Sequence, residues 1–224
     1  MPNIKEKDFV EVEYTGRIKE DNLVFDTTDE AIAKEAGIRS PNMTYGPVIV
    51  CLGQGQLLAG LEKALEGKET GKEYTIDLAP EDAFGKKDAK LIRMIPFGAF
   101  KKQNIMPEPG MQINMDGVMG IIKTASGGRC LVDFNHPLSG KDLVYTIKIN
   151  RVVADDKEKI KSFVSLSLNL KDISVDVKEG NAAIITKKEI PKEIQETISN
   201  KLKELIPSVK EYIFKVEKPA KPKN

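Results

Sequence analysis

One histidine among 224 residues leaves few catalytic chemistries open. His136 alone cannot build a two-histidine metal site or a pair of imidazoles for proton transfer. Cys51 and Cys130 sit in apolar runs, IVCLG and RCLVDF, and are expected as buried free thiols. The segment GQGQLLAG hints at a phosphate loop, but it lacks the closing Lys-Ser/Thr and the dinucleotide glycine spacing. An enzyme built from this inventory must run a reaction that needs neither a metal nor a nucleophile. No cofactor and no metal are expected.

Composition narrows the class further. Apolar residues make up 40% and charged residues 31%, the mixture of a globular chain with a charged surface, and the length allows two or three domains. A net charge of +1 supplies no overall field toward nucleic acid or anionic lipid, so neither is an expected partner. No apolar run approaches the roughly 20 residues that span a bilayer. The opening MPNIKEKDF lacks the apolar core of a secretory signal, and with two unpaired cysteines a cytoplasmic location is expected.

The elements that must carry any site follow from periodicity. Val10, Val12 and Tyr14 alternate with Glu11, Glu13 and Thr15, which predicts a half-buried strand over 8–18. Asp21-Asn22 turns the chain into a second strand at Leu23–Asp26, and a short helix at 29–36 closes at Gly37. Val48–Leu52 is an apolar strand. Beyond it Leu57, Leu58, Leu61 and Leu65 share one helical face, with Glu62, Lys63 and Glu66 on the other and Gly67 as the stop. A strand follows in GKEYTIDLAP. Between Lys86 and Asn135 lie strand-like pieces at Leu91–Ile95, Met111–Met115, Val118–Lys123 and Arg129–Phe134, punctuated by Asp116-Gly117 and Gly127-Gly128, an all-β pattern. LSGKDLVYTIKINRVV is one more alternating strand.

The charged run at 154–161 predicts a boundary. After it come an apolar stretch at Phe163–Leu170, strands at Ile173–Val177 and Ala182–Thr186, a helix over 191–206 and a strand at Glu211–Val216. The helix carries an apolar stripe of Ile194, Ile198, Leu202, Leu205 and Ile206. This reads as an independent α/β unit, small enough that pairing with a second copy would help it. The terminal KPAKPKN is expected to be a solvated tail.

Three ordered blocks carry a resemblance. VEYTGRIKEDNLVFDTT, then VIVCLGQGQLLAGLEKALEGKETGKEYTIDLAPEDAFG, then NHPLSGKDLVYTIKI resemble the FKBP-type peptidyl-prolyl isomerases. The interruption at 86–136 resembles the SlyD group, whose insert-in-flap domain binds unfolded chains, and the C-terminal extension resembles the long-type archaeal members. The resemblance implies an α+β fold: an antiparallel sheet wrapped around a short helix, an inserted all-β domain and a small C-terminal α/β domain. It divides the chain into 1–85 plus 137–153 as the isomerase domain, 86–136 as the insert and 154–224 as the C-terminal domain, with homodimerisation through the last as an expectation.

It also implies a proline pocket built from Tyr14, Phe25, Asp26, Leu57, Leu58, Leu61, Phe84, Leu138 and Tyr145, with Val48 and His136 as further substrate contacts. Leu57, Leu58 and Leu61 without the resemblance read as plain helix core; with it they line the pocket, and Leu65 stays core. Two positions depart from the family pattern. Leu61 stands where short members often have Trp, and Phe84 where Tyr is usual, so one hydrogen-bond donor is missing and macrolide affinity is not implied by the pattern. In the insert Ile92, Met94, Phe97, Phe100 and Met119 are candidates for holding apolar segments of clients, since methionine adapts to varied partners. The implied partners are unfolded, proline-containing polypeptides, with macrolide ligands of the family as further candidates. The alternative is a holdase chaperone with incidental isomerase activity.

Overall fold

The computed structural model describes residues 3–101 and 104–217. The chain forms two compact units, one running to Asp77 and resuming at Val144, the other spanning Leu78–Leu143.

In the first unit, apolar alternation produces β1 (Phe9–Ile18), with Val10 and Val12 fully buried. Asp21-Asn22 reverses the chain, Asn22 taking the left-handed conformation that Asn tolerates (φ 57°), and β2 (Val24–Thr27) returns antiparallel to β1. The short α1 (Glu30–Glu35) starts at Asp29, whose carboxylate accepts from the amides of Ala31 and Ile32. β3 (Val48–Cys51) pairs with the other half of β1, from Phe9↔Cys51 to Val12↔Val48. α2 (Ala59–Leu65) buries Leu61 and Leu65, and β4 (Glu73–Leu78) follows.

The second unit contains β5 (Ile92–Pro96), α3 (Phe97–Lys101), β6 (Gln112–Met115), β7 (Val118–Ser126) and β8 (Arg129–Asp133). The strands form an antiparallel sheet in the order β5-β8-β7-β6. Asp116-Gly117 and Gly127-Gly128 have positive φ at both positions, the requirement of the tight turns that join twisted hairpins. Ile95, Phe100, Ile113, Ile122, Cys130 and Val132 make a core of their own. The sequence reading of this stretch as all-β missed α3. Phe97 and Phe100, three residues apart, fold onto that core as one helical turn, and the Phe97 amide is held by the Gly128 carbonyl at 2.9 Å.

The first unit resumes with β9 (Leu143–Val152), which completes a five-stranded sheet in the order β2-β1-β9-β4, with β3 also on β1. Next come α4 (Asp156–Leu168), β10 (Ile173–Lys178), β11 (Asn181–Thr186), α5 (Lys192–Leu205) and β12 (Glu211–Val216). β10 and β11 form a hairpin, and α5 carries the chain across so that β12 runs parallel to β11. The charged run 154–161 is helical for most of its length. It is the start of α4: Asp155 caps the Glu158 amide at 2.8 Å, and Ile160, Phe163 and Val164 form one buried stripe through charged and apolar parts alike.

This C-terminal segment shares its core with the β1–β3 corner. Phe9, Cys51 and Val153 lie in the same buried cluster as Ile160, Val164, Ile184 and Leu202. The Val153 amide donates to the Phe9 carbonyl at 2.7 Å, and Arg151 links Glu11 and Glu158, each at 2.8 Å. The predicted tail 218–224 lies outside the described residues. Among the described residues no helix is long and apolar enough to cross a membrane.

Candidate functional site

The β1–β2 pairing sets Gly16 opposite Asp26 and Thr15 opposite Thr27. Hydroxyl groups lock this corner. Thr15 Oγ1 and Thr27 Oγ1 are 2.8 Å apart, Thr28 Oγ1 accepts from the Tyr14 amide at 2.9 Å, and the Thr28 amide donates to the Tyr14 carbonyl at 2.9 Å. Tyr145, from β9, brings a third aromatic ring. Its centroid is 5.9 Å from that of Tyr14, tilted 58°, and 5.7 Å from that of Phe25, nearly perpendicular at 85°.

Gly16 makes room for these rings. A Cβ at that position would lie 2.8 Å from Phe25 Cζ and 2.9 Å from two Tyr145 ring atoms, closer than side-chain carbons approach. The pattern reading passed over it, although a glycine inside a strand is a signal of close approach.

Asp26 is the carboxylate of this cluster. Burial pushes its carboxyl above the usual range, opposed by hydrogen bonds from Tyr14 and the Thr27 amide. Burial likewise raises the Tyr14 and Tyr145 hydroxyls, with the Asp26 charge adding to both. Both phenols therefore stay neutral at any working pH, and Asp26 serves as acceptor for Tyr14. Nothing in the cluster is an activated nucleophile.

Val48 starts β3 half-buried, Leu57 and Leu58 are half-buried just before α2, and Leu61 is fully buried on it. Glu62 requires a correction. Helical periodicity put it on the outer face with Lys63 and Glu66, yet it is only 8% exposed. Its carboxylate accepts four backbone amides of the preceding loop: Gly53 at 3.1 Å and Gly55 at 3.3 Å on Oε2, Gln56 at 2.9 Å and Leu57 at 3.1 Å on Oε1.

The remaining candidates belong to the second unit. Phe84 and His136 stack face to face, centroids 4.5 Å apart and planes within 2°. Ser139 Oγ donates to the Phe84 carbonyl at 3.0 Å, and the Gly140 amide to the Gly85 carbonyl at 2.8 Å. The Leu138 amide donates to His136 Nδ1 at 3.2 Å. Further along, Lys87 Nζ meets buried Asp133 at 2.9 Å, and Asn135 bridges Asp133 to the Asp88 backbone. Burial alone would raise the Asp133 carboxyl, but hydrogen bonds from Lys87 and Asn135 hold it down at about 2.

Of the insert candidates, Met94 and Met119 are 61% and 56% exposed, while Ile92 and Phe97 are half-buried. Phe100 is packed into the insert core at 2% exposure. A groove of about 560 Å³, whose lining mixes Glu13, Arg17, Asp29 and Lys148 with Ile32 and Tyr45, reaches the aromatic cluster only through Tyr14. Among the described residues no cluster of His, Cys, Asp and Glu could hold a metal ion.

Residues 2–97 match the family model for the FKBP-type peptidyl-prolyl cis-trans isomerase, and residues 93–138 match that of the FKBP26 IF domain. The chain is 37% identical over 155 residues to a short-type peptidyl-prolyl cis-trans isomerase of Methanocaldococcus jannaschii, covering 69% of this chain and 98% of that protein. It is 29% identical over 145 residues to the FKBP-type peptidyl-prolyl cis-trans isomerase SlyD of Vibrio cholerae, covering 63% and 72%. To the SlyD protein of Haemophilus influenzae it is 32% identical over 107 residues, covering 46% and 56%.

Proposed function

The chain belongs to the family of FKBP-type peptidyl-prolyl cis-trans isomerases, and from that membership we propose that it works on X-Pro bonds of unfolded and partly folded polypeptides, held by its insert. The reaction itself is peptidyl-prolyl cis-trans isomerisation. An amide resists rotation by about 18–20 kcal/mol because twisting sacrifices resonance. No bond is made or broken, so an environment that favours the twisted, less charge-separated amide suffices. Lowering the barrier by about 5 kcal/mol gives an acceleration of several thousand-fold.

One observation supports this reading above the others. Tyr14, Phe25 and Tyr145 crowd against one another around an Asp26 carboxylate that is engaged with Tyr14, so the cluster offers aromatic surface without a nucleophile. Leu57, Leu58 and Leu61 supply the aliphatic part of the wall. Phe84, His136, Leu138 and Val48 are assigned as substrate contacts on the family pattern alone. Macrolides of the family are candidate ligands on the same basis.

The domain assignment is 1–85 with 137–153 for the isomerase, 86–136 for client capture and 154–224 for the C-terminal part, which we assign to pairing with a second copy. A cytoplasmic location accords with two buried free thiols. A protease-coupled assay on a proline tetrapeptide tests the activity. Turnover above the spontaneous rate that collapses in Phe25→Ala is expected; turnover no faster than the spontaneous rate would overturn the reading.

A second reading, a holdase with incidental isomerase activity, is favoured by the exposed Met94, Val118 and Met119 of the insert. Suppression of aggregation that survives intact in Phe25→Ala, together with unchanged catalysed refolding, would favour it.

A further inference from the structure

Four backbone amides point at one carboxylate in the loop that leads to α2. Gly53 and Gly55 adopt left-handed conformations, φ 78° and 66°, which turn successive N–H groups inward as a nest for an anion. That anion is internal. Glu62 Oε2 takes Gly53 and Gly55, and Oε1 takes Gln56 and Leu57, all within 3.3 Å. Charge-assisted bonds of this kind are stronger than neutral ones, and here they act on a side chain almost removed from water. A further bond pins the loop at its base, the Cys51 amide donating to Gln56 Oε1 at 2.7 Å.

The loop ends on Leu57 and Leu58, and Leu61 follows one turn into the same helix that carries Glu62. One carboxylate therefore fixes the approach to three candidates for the pocket wall. We propose that Glu62 is a positioning residue of the isomerase, holding Leu57 and Leu58 in the geometry that grips the proline. It touches no substrate. The proposal rests on the isomerase reading above and adds a residue to it.

Glu62→Gln is the discriminating variant. A carboxamide keeps the shape and one acceptor, but its NH₂ group must face two of the four amides donor to donor. Peptide kcat/KM is expected to fall about ten-fold or more, with KM rising by a larger factor than kcat falls. Leu65→Val, a core change on the same helix, provides the control for lost stability and should keep kcat/KM within about two-fold. Hydrogen exchange supplies a readout independent of turnover: the amides of Gly53, Gly55, Gln56 and Leu57 lose protection in Glu62→Gln while β1 keeps its own.

Glu62→Gln with kcat/KM within about two-fold of wild type, or Leu65→Val losing as much as Glu62→Gln, overturns the positioning role. Unchanged exchange in 53–57 overturns the latch itself. A wild-type chain without turnover overturns the isomerase reading and the role built on it, while the exchange arm still reads the latch.

Discussion

Phe25 meets the ring of Tyr145 edge-on, centroids 5.7 Å apart at 85°, and both rings fill the space left by the missing side chain of Gly16. The aromatic corner depends on that vacancy. In Gly16→Ala the added methyl must displace one ring or open the β1–β2 pair. We expect a destabilisation of about 1–3 kcal/mol, the usual cost of overpacking, and a loss of peptide turnover out of proportion to it. Urea unfolding and the protease-coupled assay measure the two. Wild-type turnover in this variant would place the corner outside the active region.

Asp26 gives a pH prediction whose sign is opposite to that of most carboxylates. Its folded pKa is raised above 3.8, chiefly by burial. Stability associated with the neutral form is full below the unfolded value and is lost as pH rises through the raised folded value. Asp26→Asn should remove that slope, leave the chain at least as stable at neutral pH, and lower kcat/KM by replacing the charged acceptor of the Tyr14 hydroxyl with a weaker, neutral amide oxygen. A fall in neutral-pH stability would show that the carboxylate is a structural tie.

Asp133 behaves the other way. Held down at about 2 by Lys87 and Asn135, it stabilises the second unit above the unfolded value near 3.8 and loses that contribution as pH falls through 2. The half-exposed Lys87 screens the pair, so the effect is about 1 kcal/mol or less. Hydrogen exchange in β5 and β8 against pH measures it. Asp133→Asn should be less protected at neutral pH and insensitive over the acid range.

Both thiols are expected to be inert in the folded chain. Burial pushes Cys51 up to about 12, and burial also raises Cys130, so neither supplies thiolate at pH 8. A chromogenic disulfide should modify neither until denaturant is added, after which it modifies two. Rapid modification of the native chain would contradict this.

Much of this architecture is legible in residue patterns. Alternation in FVEVEYTGRI marks β1, the apolar stripe of α5 marks a helix, and Asp116-Gly117 and Gly127-Gly128 mark hairpins, because each pattern reports local geometry. Tyr14, Phe25, Asp26 and Tyr145 came from the family blocks, and the structure brings those four together. What escaped depends on partners distant in space or on competing signals. A carboxylate on a helix normally seeks water, so periodicity places Glu62 on the outer face; its four amide partners exist only once the glycine loop curls. The charges of ADDKEKIK mask the start of α4, since Ile160 is the first member of a buried stripe that continues through Phe163 and Val164. Phe97–Lys101 is helical because its two phenylalanines reach one core, a choice local propensity does not dictate.

Deleting 86–135, which leaves Phe84 and His136 in place, tests the division of labour between an isomerase and a capturing insert. The deletion variant, checked for a folded circular dichroism spectrum, is assayed on a proline tetrapeptide and on the proline-limited refolding of a whole protein. Under that division of labour peptide turnover stays within about three-fold of the full chain and catalysed refolding falls about ten-fold or more. Equal loss of both activities, or refolding catalysis that survives the deletion, would contradict it.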